Sequence, residues 1–96
     1  MLFIKLYAGQ KIRVEKQTIR VKDIDWTTTP ENDGFVTLTL SEEGKDTQTV
    51  TLPMRSETMI LDCYATLCAT SISKHNDNLQ VQLALHSEVM LDIEFP

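Results

Sequence analysis

The sequence predicts an all-β fold: a small single-domain barrel or sandwich of about eight short, mostly antiparallel strands. Three observations carry that expectation. Apolar residues alternate with polar ones at a period of two, the spacing that gives a strand one dry face and one wet face. Turn-forming residues interrupt the alternation about every ten positions, the rhythm of a small sandwich or barrel. At 96 residues, 42% hydrophobic and 24% charged, the chain has the size and composition of one ordinary domain, residues 1–96, with enough apolar surface for one core.

The elements follow in order. Leu2, Ile4 and Leu6 alternate with Phe3, Lys5 and Tyr7, and Gly9-Gln10 turns the chain. Residues 11–22 then read as a hairpin, with Ile12, Val14, Ile19 and Val21 on one face and a loop at residues 15–18. Residues 25–34, with Pro30, Asn32, Asp33 and Gly34, read as a loop. Val36, Leu38 and Leu40 resume the alternation, Glu42-Glu43-Gly44-Lys45 turns, and Val50, Leu52 and Met54 follow. Pro53 has no N–H to donate to a ladder, so it marks an edge or a strand end. Residues 57–71 fit one long strand with Met59, Leu61, Cys63, Ala65, Leu67 and Ala69 on a shared face; a helical stripe of Ile60, Tyr64, Leu67 and Cys68 is the alternative. Threonine, tyrosine and cysteine favour the strand. His75-Asn76-Asp77-Asn78 is a turn, because Asn and Asp tolerate left-handed backbone. Residues 79–95 close the chain as its most hydrophobic hairpin, expected at the centre of a sheet, with a turn at His86-Ser87-Glu88.

Charge is distributed unevenly. Residues 1–22 hold Lys5, Lys11, Arg13, Lys16, Arg20 and Lys22 against Glu15 alone, a net +5, whereas residues 23–96 hold three cations against thirteen acids, a net −10. In the hairpin, Lys11, Arg13, Arg20 and Lys22 alternate with the apolar set, so one face is cationic and the other greasy. Such asymmetry points to an electrostatic partner: a nucleic-acid backbone, or an acidic surface on a second copy or another protein. The bland explanation is a solvated face whose positive charge guards an edge strand.

Other chemistry is poorly supported. Cys63 and Cys68 are spaced five apart, read as reduced, buried thiols. With His75 and His86 in turns they lack the close pairing of a zinc site, so no metal is expected. Nothing like a nucleophile elbow surrounds either thiol, and three glycines cannot build a phosphate-cradling loop. Glu42 and Glu43 fall at a turn tip, where water screens them. The expectation is therefore no enzyme, no cofactor and no small-molecule substrate. Apolar runs are only a few residues long, so no membrane span is expected, and the opening segment is too short and too charged for a secretory signal; a complete, cytoplasmic chain is the expectation.

Trp26 sits in a polar loop. Covered, it caps the end of a barrel; exposed, it is a contact anchor. Phe35 and Met90 fall on nominal outer faces, and with Phe3 and Tyr7 they imply that some outer faces are covered by a second sheet or another subunit.

The segment MLFIKLYAGQKIRV resembles the start of the carbon storage regulator family of small RNA-binding translational repressors, at Met1, Leu2, Ile4, Gly9, Ile12 and Val14. TLPMRSE resembles that family's strand ending in an Arg–Glu RNA contact, which would fall on Arg55 and Glu57. The resemblance covers residues 1–57 and implies an intertwined dimer with RNA held by basic residues. The chain departs from the pattern at Leu6 and Tyr7, where the family has a basic pair, and at Ser56, which separates Arg55 from Glu57.

These readings converge on a non-enzymatic regulatory protein that binds a macromolecule. The expected partner is RNA or another protein, and the expected contact residues are Lys5, Lys11, Arg13, Arg20, Lys22, Arg55 and Trp26, with a homodimer as the working state. The alternative is a protein–protein interaction module: an inhibitor, a nucleic-acid mimic or an assembly subunit, such as a mobile element encodes.

Overall fold

Period-two alternation resolves into two packed antiparallel sheets. The computed structural model describes residues 1–26 and 34–95. The described residues form nine strands: β1 (Leu2–Tyr7), β2 (Lys11–Val14), β3 (Gln17–Asp25), β4 (Phe35–Glu42), β5 (Gln48–Pro53), β6 (Glu57–Ile60), β7 (Ala65–His75), β8 (Asn78–Ser87) and β9 (Ile93–Glu94). The first sheet runs β1-β8-β7-β6 and the second β5-β4-β3-β2-β9. The fold is thus an all-β sandwich, and the chain changes sheet at β1–β2, β5–β6 and β8–β9. Among the described residues no helix is long and apolar enough to cross a membrane.

The core fills the space between the inner faces. Ile12, Val14, Ile19, Val21, Val36 and Leu38 of the second sheet meet Leu67, Ala69, Val81 and Leu83 of the first, all fully buried. Burying each large aliphatic side chain contributes about 1.5–3 kcal/mol. Among the described residues no charged or polar side chain is buried.

Most turns form where the residues call for them. Gly9 (φ 90°) and Gly44 (φ 82°) take positive φ at their turns. Asn76 (φ 47°) and Asp77 (φ 68°) are both left-handed, as the tight two-residue turn joining β7 to β8 requires. Pro53 ends β5, an edge strand, so its missing N–H costs no ladder bond.

Five expectations need correction. The hairpin loop is only Glu15-Lys16, because Gln17 already pairs with Val14. Residues 57–71 are not one strand. A turn at residues 61–64, with Leu61, Asp62 and Cys63 all at positive φ, separates β6 from β7. That turn resets the alternation, so Ile60 goes inside while Met59 is exposed. Cys63, at the turn, is exposed, and Cys68 is half-buried on the outer face; both thiols are free. Residues 79–95 are not a hairpin: β8 lies between β1 and β7 in the first sheet, while β9 crosses to the edge of the second. Finally, no second sheet covers Phe3 or Met90, and Met90 lies outside any strand. The expected loop at residues 25–34 falls largely outside the described residues, although Asp25 still belongs to β3.

Candidate nucleic-acid interface

The basic hairpin forms as β2 and the first half of β3. Lys11 stands directly opposite Arg20, Ile12 opposite Ile19, and Arg13 opposite Thr18. Ile12 and Ile19 are sealed in the core, which forces Lys11, Arg13 and Arg20 outward. A β-bulge between Val21 and Asp23 inserts Lys22 as the extra residue, so Lys22 and Asp23 are both exposed. The register extends the cationic row across the sheet. Arg20 lies opposite Thr39 of β4, and Thr39 opposite Thr49 of β5. Threonine suits a half-exposed strand face and adds hydroxyls beside the cations.

Directly opposed like charges on neighbouring strands repel. No ion pair within 4.0 Å relieves Lys5, Lys11, Arg13, Lys16, Arg20 or Lys22 among the described residues, where the salt bridges use Lys45 and Lys74. Arg13 is partly engaged, its Nε donating to the Glu15 carbonyl at 3.1 Å, and Glu94 of β9 lies opposite it in register.

Lys5 comes to the same place from the other sheet. At the seam between β1 and β2, a groove of about 450 Å³ is lined by Lys5, Gly9, Gln10, Lys11, Arg20 and Phe95, together with Leu6. Among the described residues three cations and no acidic side chain line it. Gly9 shapes the turn at its rim, where its N–H donates to the Val21 carbonyl at 2.7 Å. A second groove of about 290 Å³, sharing Lys11 and Phe95 with the first, is lined by those two residues with Ile12, Arg13, Thr18 and Glu94.

The aromatic wall of both grooves comes from the C-terminus, and the hairpin turn holds it there. The Glu15 N–H donates to the Asp92 carbonyl at 2.8 Å, and the Glu15 carboxylate accepts the Asp92 N–H at 3.0 Å. Ile93 and Glu94 then pair with Val14 and Arg13, and Phe95 follows. Glu15, the single acid of residues 1–22, thus anchors the segment that carries Phe95. Sequence reasoning missed Phe95 because it assigned residues 79–95 to one hairpin. No local signal marks a strand that pairs with residues some eighty positions earlier.

The remaining expected contact residues lie elsewhere. Arg55 (φ 68°) follows β5, at the opposite edge of the sheet from β2 and β9, and its N–H donates to the Ala69 carbonyl at 2.6 Å. Trp26, 44% exposed, does not cap the sandwich; it follows the far end of β3 from the hairpin turn. His75 and His86 are separated along the length of β8, at the two ends of the first sheet. Among the described residues no group of three or more metal-ligating side chains occurs. Among the described residues the one clearly displaced titration is that of Lys45, raised by its hydrogen bond to Glu42 and by the nearby charge of Asp62. No protein-family model, curated protein or solved structure matches the chain.

Proposed function

We propose that this protein is a non-enzymatic regulator that binds RNA through the basic seam between β1 and β2. The observation that carries the reading is the groove with Lys5, Lys11 and Arg20 in its walls and no acidic side chain among its described lining residues. A phosphate placed there meets cations from both sheets and relieves the Lys11–Arg20 repulsion, which gives the anion a favourable term beyond simple attraction. The threonines at positions 39 and 49 extend the surface with hydroxyl donors. Arg13 lines the adjoining groove and Lys22 stands exposed on β3, while Arg55 and Trp26 lie outside the groove.

Binding of a labelled RNA, followed by fluorescence anisotropy over a salt series, tests this. Three phosphate contacts on a single strand give a slope of log affinity against log salt of about −2. Affinity then falls roughly twentyfold between 50 and 200 mM salt. The double variant Lys11→Glu/Arg20→Glu is expected to abolish binding while keeping the wild-type circular dichroism spectrum. RNA binding unchanged in that variant, or no binding by the wild type at 50 mM salt, overturns the reading.

One observation favours a second reading, a protein–protein interaction module. β1 is an edge strand whose Leu2 and Phe3 are exposed, an unpaired ladder with apolar side chains that another chain could extend. Light scattering tests it: a homodimer lost on Phe3→Lys supports self-association through β1, and a monomer at all concentrations removes that version.

A further inference from the structure

We infer that the seam takes single-stranded nucleic acid, with an unpaired base stacked on Phe95 and the flanking phosphates on Lys5, Lys11 and Arg20. This deepens the RNA-binding reading and rests on it. The chain has six aromatic residues, and Phe95 is the one that lines both grooves of the basic seam. It is 62% exposed, so it contributes little to the core and leaves its ring open to a ligand.

The geometry favours a single strand over a duplex. Recognition of unpaired nucleotides combines a cationic track for the backbone with an aromatic face for the bases, because every base has a π-face whereas a duplex hides its own. Here the two components share one site: Lys11 and Phe95 each line both grooves. Each groove is close to or within the range of roughly 300–1,000 Å³ that holds a small organic group. Lys11 and Arg13 are two residues apart on one strand, so their side chains emerge roughly 7 Å from each other on the same face. Glu94 lies opposite Arg13, so the second groove is less cationic than the first. The phosphates therefore belong with Lys5, Lys11 and Arg20, and the sugar and base edges with Arg13, Thr18 and Glu94.

The test compares three probes by anisotropy at 50 mM salt: an eight-nucleotide single-stranded RNA, its duplex, and a single strand of equal length with abasic residues. The single strand is expected to bind at least tenfold more tightly than the duplex or the abasic strand. Phe95→Ala should lower affinity for the single strand by roughly tenfold with an unchanged salt slope, and Phe95→Trp should retain it. Equal binding of the abasic strand, or no effect of Phe95→Ala, overturns the stacking inference and leaves the RNA-binding reading intact if Lys11→Glu/Arg20→Glu still abolishes binding. Loss of binding on neither change removes both. Because Phe95 is exposed, thermal melts of its variants should match the wild type, so a lost affinity reads as a lost contact.

Discussion

Glu15 holds Asp92 by two hydrogen bonds, its N–H donating to the Asp92 carbonyl at 2.8 Å and its carboxylate accepting the Asp92 N–H at 3.0 Å. The turn of one hairpin thereby clamps the entry to β9. Glu15→Ala removes the carboxylate half of the clamp and is expected to cost about 1 kcal/mol locally. The measurement is amide hydrogen exchange: Asp92 and the β9 amides should exchange faster, with β7 and β8 unchanged.

Lys11 and Arg20 repel across the β2–β3 pair. Arg20→Glu converts that repulsion into attraction and should raise stability by roughly 0.2–1 kcal/mol in urea titrations at low salt. In about 1 M salt the difference should shrink, because exposed charges are then screened within a few ångströms. The same substitution is expected to weaken RNA binding, so stability and binding should move in opposite directions. A cationic pair kept for folding alone would not behave that way.

Gly34 enters β4 at φ 106°, and a Cβ there would run into the carbonyl oxygen of Asp25 and press against Ile72 Cδ1 at 3.1 Å. Gly34→Ala must therefore move β3 away from β4 or change the backbone. A loss of about 2–4 kcal/mol is expected, from combined steric overlap and left-handed strain. Thermal melting of Gly34→Ala beside Gly9→Ala separates the two terms, since nothing lies within 4 Å of a Cβ at Gly9 and strain alone acts there.

Lys45 Nζ lies 2.7 Å from Glu42 Oε2 and 3.7 Å from Asp62 Oδ2, tying the β4–β5 turn to the β6–β7 turn. The hydrogen bond to Glu42, and then the charge of Asp62, raise the lysine pKa above its usual 10.5. A group whose pKa is higher in the folded state stabilises the fold fully below its unfolded pKa, and that contribution disappears as pH rises through the folded value. The stability difference between wild type and Lys45→Met should thus be constant from neutral pH to about 10 and vanish above the raised pKa. Lys45 is exposed, so the difference is small and should fade with added salt. Urea midpoints across that pH range provide the check.

Most of the secondary structure was legible because strand alternation is a local property. Ile12, Val14, Ile19 and Val21 announced both the hairpin and its buried face. Asn76-Asp77 announced its turn through backbone chemistry that no distant contact needs to supply. Residues 61–64 were illegible for the converse reason. A two-period pattern continues unbroken in sequence through Leu61 and Cys63, and the positive φ values that break it are held by tertiary contacts, including the Leu61 N–H donating to Gln17 Oε1 at 3.2 Å.

The candidate site divides along the same line. Alternation by itself placed Lys11, Arg13 and Arg20 on one outward face, since a strand that buries Ile12 and Ile19 has no other way to point them. Only the tertiary structure brought Lys5 and Phe95 to that face and left Arg55 at the opposite edge of the sheet. Lys5 arrives with β1, which pairs with β8, and Phe95 arrives with β9, which pairs with β2. Those pairings join residues some eighty positions apart, and they are chosen by the closing of one shared core rather than by any stretch of sequence.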